Sequence, residues 1–301
     1  TGIKKMEIDL VFVTKIDHLY VLNLALKKMV MLNDIRSVFI ITNKKYFKYF
    51  PVRKDIKINL IDEDSVLPDM TLNQLSKLSL PFFPKRSGWY FQQFLKLGIS
   101  KLDDLSENYL VLDADTIFLQ RIPLFDNGRF VFTKAQEYHK PYFENYINLL
   151  KESPSREFSF ISQYMLFNKN IVTEMLNKIE SNFNFENHWN WIIINNLLGD
   201  DASLFSEYET YGNYIKNHYP EKVCFLDLKW LREGSKVLGS LFPKIEDIEK
   251  LHGYYFVSFE LNTVGASFFT KVKKHLFCFL YPRFSFLKRI IYKVLPYEIN
   301  N

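Results

Sequence analysis

The stretch Tyr109-Leu-Val-Leu-Asp113-Ala-Asp115-Thr-Ile-Phe118 decides how this chain is read. Its first four residues are apolar, with Tyr109 and Val111 of the types that favour sheet, which predicts a buried strand over 109–112. The strand ends in two carboxylates separated by one residue. In open α/β sheets, ligands bind outside the carboxyl ends of the strands. Strand alternation points both acids the same way. Two such carboxylates can hold a hard divalent cation, Mg2+ or Mn2+, and that cation would neutralise a diphosphate. The bland reading is an Asp-rich turn at a strand end.

Upstream, three further apolar runs predict buried strands at 8–13, 38–42 and 57–61. Between the first two, Leu19, Leu22, Leu26, Met29 and Val30 recur at helical spacing across 18–32. Strands alternating with helices imply a mainly parallel sheet with right-handed crossovers. The Pro- and Gly-bearing segment 81–88 reads as a loop, followed by a helix over 89–100. Downstream, 158–167 reads as a strand pair or a loop and strand, 171–180 and 188–198 as helices, and 254–259 as a late strand. There is no internal repeat or low-complexity linker.

YLVLDADTIF resembles the D-x-D region of GT-A glycosyltransferases. GWYFQQFLKLGIS (88–100) resembles a helix that precedes it in bacterial capsule and lipopolysaccharide transferases. FSFISQYMLFNK (158–169) resembles the strand after it, and FSEYETYGNYI (205–215) an acidic motif of the same enzymes. The resemblance covers roughly residues 8–260, and the D-x-D element is its specific part. It implies a GT-A domain over 1–270, with a nucleotide-binding half at 1–120 and an acceptor half at 121–270. It also implies a nucleotide-sugar donor, a UDP-sugar foremost, a saccharide or lipid-linked acceptor, and Mn2+ or Mg2+. Asp113 would contact the donor ribose, or the metal through water, and Asp115 would bind the metal directly. A late His often completes the ligand set; His252 is the first match and His218 the second. Thr14, Lys15 and Asp17 follow the first strand, where the family binds the nucleobase and ribose, and Asn43 and Asp62 end the next strands.

On the helix after 88, Gln92 and Gln93 precede Lys96 by four and three residues and share its face. Lys96 could meet the diphosphate as a point charge and the Gln amides sugar hydroxyls, with Lys85 and Arg86 as weaker phosphate candidates. The reaction also needs a carboxylate, either to take the acceptor proton or to stand on the donor's other face. Glu207 and Glu209 are the candidates, with Asp200 and Asp201 as alternates. Residues two apart on a helix point in different directions, so one of the two glutamates should face the site. Glu207 is preferred, with Tyr211 and Tyr214 extending its face as a sugar-stacking stripe.

The charge of the 301-residue chain, +5 overall, is unevenly placed. Seven basic residues and one acid in 271–301 give that segment +6 and leave −1 for the rest. Bulky apolar residues interleave with the basic ones there, a pattern suited to an anionic membrane surface. A peripheral location on the cytoplasmic face of the inner membrane is expected; the opening segment shows no secretory signal pattern. Two cysteines fit a reducing compartment. A nearly neutral body without a basic stripe disfavours nucleic acid as partner. Two other functions fit parts of the pattern. A haloacid-dehalogenase-type phosphatase would use Asp113 as nucleophile, Asp115 as acid/base and Gly199-Asp200-Asp201 as a later acidic motif. A non-catalytic membrane adaptor on a degenerate transferase fold is the other. Against the phosphatase, a full βαβαβ half precedes the acid pair.

Overall fold

The computed structural model describes residues 7–32, 35–78, 86–183, 188–260 and 268–283. The strands are β1 (Ile8–Val13), β2 (Ile35–Thr42), β3 (Lys57–Asp62), β4 (Asn108–Leu112), β5 (Thr116–Phe118), β6 (Phe125–Asp126), β7 (Arg129–Thr133), β8 (Tyr164–Asn168), β9 (Val223–Leu226) and β10 (Phe256–Ser258). A central sheet runs β3-β2-β1-β4-β8. Its first four strands are parallel, and β8 is antiparallel to β4. This is the mixed, mainly parallel sheet that the sequence predicts. Apart from Asp9 and Asn108, β1 and β4 read as apolar runs because helices cover both faces of a parallel sheet. β3, at the edge, stays half-buried.

Helices α1 (Leu19–Lys28), α2 (Glu63–Val66), α3 (Leu72–Ser76) and α4 (Ser87–Gly98) fill the first half. In the second half come α5 (Lys140–Leu150), α6 (Lys169–Asn182), α7 (Trp189–Asn195), α8 (Glu207–His218), α9 (Gly234–Leu238), α10 (Ile245–Glu249) and α11 (Phe268–Arg283). Two small sheets, β6-β7-β9 and β5-β10, complete the fold. The β5-β10 pair matters for the site, since it ties the chain leaving the acid pair to a segment about 140 residues later. Helix α4 begins at Ser87, so the end of the predicted 81–88 loop is already helical; residues 79–85, Lys85 among them, lie outside the described part.

One buried charge was not anticipated. Asp9 on β1 is fully enclosed and accepts a paired contact from Arg36, the Ser37 hydroxyl at 2.8 Å and the Ser106 N–H at 2.7 Å. Burial works to raise its pKa, but these donors outweigh burial and hold the carboxyl below its ordinary value.

The expected boundary at 270/271 falls inside α11. That helix packs on α1: Phe277 stacks on Phe242 at 3.9 Å, and Tyr20 meets Phe277 and Tyr281 edge-on. Phe277, Cys278 and Tyr281 are buried, so the first part of the basic segment belongs to the body. The rest of that segment, 284–301, lies outside the described residues. No helix among the described residues is long and apolar enough to cross a membrane.

Candidate active site

β4 stops at Leu112, so the two acids sit in a turn and not on the strand. Alternation is therefore not what brings them together. The Thr116 N–H donates to the Asp113 carbonyl at 2.9 Å and closes the turn. The Asp113 N–H donates to the Gln163 carbonyl at 3.0 Å, and the Phe259 N–H to the Asp115 carbonyl at 2.8 Å. Strands β8 and β10 thus clamp the turn from two sides.

Both acids line a cavity of about 1410 Å3 at the carboxyl ends of the parallel strands. On one side it is walled by Thr14, Lys15, Asp17 and His18 after β1, Asn43 after β2, and Glu63 and Asp64 after β3. Glu137, Tyr142, Ile161, Gln163, Arg232 and Glu260 also line it. Thr14, Lys15, Asp17 and Asn43 are therefore gathered on the wall of one cavity. The Lys15 ammonium reaches to Gly88 at the start of α4, where an added Cβ would lie 3.0 Å from Nζ. Asp62 is turned aside to accept the Lys44 N–H, and Asp200 and Asp201 do not line the cavity. The later acidic element of a phosphatase is thus not brought to Asp113.

Lys96 differs most from its expected place. It is 3% exposed, and its ammonium lies 2.6 Å from Asp113 Oδ1 and 2.7 Å from Glu207 Oε1. Burial acts to lower its pKa, yet the two carboxylates hold it well above the ordinary value. Lys96 is a counterion between two site acids, not an exposed phosphate ligand. Tyr208 completes the group: its hydroxyl donates to Asp113 Oδ1 at 2.9 Å, and its ring lies under the ammonium. Gln93 is also buried. Its Oε1 accepts the Glu207 N–H at 3.0 Å, so it anchors the start of α8. Gln92 lines the cavity.

α8 separates the two glutamates as helical geometry requires. Glu207 faces the cavity. Glu209 faces inward and accepts from Ser159 Oγ at 2.8 Å, the Phe160 N–H at 3.3 Å and Asn213 Nδ2 at 3.0 Å. Burial pushes its pKa up to about 7. Glu209 is not placed for catalysis. Tyr211 and Tyr214 are core residues: their hydroxyls meet the Asn168 N–H and Glu174, so no sugar-stacking stripe exists there.

The expected histidine ligands are not brought to the acids. His252 is exposed in a turn, its carbonyl accepting from Gln120, and does not line the cavity. His218 bonds Glu152. The donor set still fits a hard cation. Asp115 has its pKa pushed up to about 7, by burial first and then by the charges of Asp113 and Glu260. Asp113 Oδ2 has no hydrogen-bond partner among the described residues, and Asp115 only a 3.4 Å contact from Thr116. Crowded carboxylates with open oxygens attract a divalent cation. Among the described residues no group of three or more His, Cys, Asp and Glu side chains is placed to hold a metal. Two carboxylates therefore suit Mg2+- or Mn2+-type binding shared with substrate phosphates.

Sequence reasoning passed over Tyr208, Gln163, Arg232, Glu260 and His18. Arg232 bridges Glu137 and Glu260 across the cavity rim. His18 follows Asp17 directly and is kept neutral by burial, its pKa lowered to about 4. Position after β1 was a usable signal for His18; nothing local marked the others.

The chain belongs to a family of unknown function, DUF6492, whose model matches residues 7–236. No curated protein matches it. Among solved structures, it is similar to the galactosyltransferase LgtC in complex with donor and acceptor sugar analogs, at 10% identity and a TM-score of 0.44, over 85% of this chain and 88% of that one. It is also similar to mouse xyloside xylosyltransferase 1 in its apo form, at 13% identity and a TM-score of 0.41, over 86% of this chain and 98% of that one.

Proposed function

We propose that this member of the family is a glycosyltransferase. It takes a sugar from a nucleotide-sugar donor, a UDP-sugar foremost, and passes it to a saccharide or lipid-linked acceptor in bacterial surface polysaccharide synthesis. The observation that carries this reading is the Asp113–Lys96–Glu207 ion chain beside Asp115, set in a cavity of about 1410 Å3 that the loops after β1, β2 and β3 also line.

Mn2+ or Mg2+ would be held by Asp113 and Asp115 and, when bound, would offset charge on the leaving diphosphate. The chain's own residues do the rest. Thr14, Lys15, Asp17 and Asn43 receive the nucleoside, and Lys15 lies where α4 begins, near the expected diphosphate. Lys96 and Tyr208 fix Asp113 in one orientation. Glu207 lines the cavity, and its second oxygen has no partner among the described residues. There it takes the acceptor hydroxyl proton as the acceptor oxygen bonds the anomeric carbon and the bond from that carbon to the diphosphate breaks. The basic and aromatic residues of 271–301 support peripheral attachment to an anionic membrane.

UDP-sugars with Mn2+ are expected to raise the melting temperature, and Asp115→Ala to remove that protection. Equal Mn2+-dependent protection of the variant would sink the metal assignment. Trapping by beryllium fluoride with indifference to nucleotide sugars would favour a phosphatase instead.

A further inference from the structure

The geometry points to Gln163 as the residue that reads the sugar of the donor, an assignment that rests on the glycosyltransferase reading. Gln163 sits at φ 66, in the left-handed region that costs a non-glycine residue about 1–2 kcal/mol. Two other non-glycine residues among those described share positive φ, and each has an ordinary reason. Asn127 turns the exposed β6-β7 hairpin, and Lys151 ends α5. Gln163 is neither surface turn nor helix cap. It is 5% exposed and immediately precedes β8.

Its backbone is held from both sides. Its carbonyl accepts the Asp113 N–H at 3.0 Å, and Tyr164, the next residue, pairs with Leu112 in the sheet. The left-handed turn interrupts strand alternation, and the side chain lines the cavity. There its amide has no hydrogen-bond partner among the described residues. The amide is open to the cavity and not sealed in the core, so its donors and acceptor are left for a ligand, while the left-handed backbone conformation costs free energy. That cost falls on the residue whose carbonyl fixes Asp113, and strain of this kind collects at ligand sites. Glycine would adopt the same backbone freely, so the side chain is what the strain retains. An amide with two donors and one acceptor matches adjacent hydroxyls or an acetamido group. β8 lies at the opposite edge of the sheet from β3 and is separated from β1 by β4, so Gln163 stands beside the acid pair and away from the loops after β1, β2 and β3, which assigns it to the sugar and not to the base.

The test uses the full chain with Mn2+ and measures calorimetric affinities for UDP, UDP-glucose, UDP-galactose and UDP-N-acetylglucosamine. The wild type should prefer one UDP-sugar over the others by about tenfold. Gln163→Gly should bring the three sugars within about threefold of one another and leave UDP affinity as it was. Its melting temperature should be no lower than the wild type's, because the strain is relieved. A variant that keeps the wild-type preference overturns the assignment, as does one that loses UDP affinity and thermal stability together. A wild type that binds UDP without discriminating sugars overturns this inference alone. A wild type that binds none of the four overturns the glycosyltransferase reading and this inference with it.

Discussion

Placing Lys96 between Asp113 and Glu207 removes two opposite charges, Lys96 and Glu207, from water together and leaves Asp113 partly exposed at the cavity. Such an arrangement holds only while every charge has its partner. Lys96→Met should therefore cost about 3–5 kcal/mol in denaturant unfolding, because Glu207 is left buried without a counterion and Asp113 loses its partner. Adding Glu207→Gln should recover part of that loss, and strictly additive effects would show that the two residues are not coupled. Glu209 makes a separate prediction. Its folded pKa, about 7, lies above the ordinary carboxyl value of 4.5. The stability it contributes is full below pH 4.5 and is lost as pH rises through 7. Melting curves between pH 4.5 and 8 should show this decline in the wild type and a flatter profile in Glu209→Gln.

At the scale of elements, α8 is the scaffold of the site. Ser206 caps it by accepting the Glu209 N–H, and Gln93 of α4 accepts the Glu207 N–H, so two helices are locked at the point where Glu207 emerges. Its inner face needs Gly212. A Cβ there would lie 2.1 Å from the Phe160 ring, and that ring belongs to the loop holding Glu209. Gly212→Ala should destabilise the fold by about 1–3 kcal/mol in chemical unfolding. A variant of unchanged stability would mean the Phe160 loop shifts freely. The motif SEYETYG was legible as a helix with one glutamate toward the site. The role of its tyrosines was not, because an apolar stripe of helical spacing looks alike whether it meets core or ligand.

For the whole molecule, the sheet order places the loops after β1, β2, β3 and β4 along one edge, and the cavity follows that edge. α11 closes the other side of α1 and turns Phe268, Val272, Leu276 and Phe279 outward. The membrane prediction becomes more specific as a result. Deleting 284–301, which removes Lys288, Arg289 and Lys293, should reduce sedimentation with anionic vesicles. Deleting 271–301 should also destabilise the body, because Phe277 and Tyr281 bury against Tyr20 and each such ring is worth about 1.5–3 kcal/mol. Undiminished vesicle binding by the shorter deletion would remove 284–301 from the attachment.

By itself the sequence determined the parallel sheet, the strand that ends in Asp113 and Asp115, and the gathering of the residues after β1 and β2. These follow from local periodicity and from where a chain leaves a strand, and both are written in neighbouring residues. Tertiary structure alone decided what each charge does. Lys96 meets Asp113 across 17 residues and Glu207 across 111, and Tyr208 meets Asp113 across 95. No local pattern records such pairings. A lysine at helical spacing reads as a free cation until packing buries it, and burial is what turns it into the counterion of two acids.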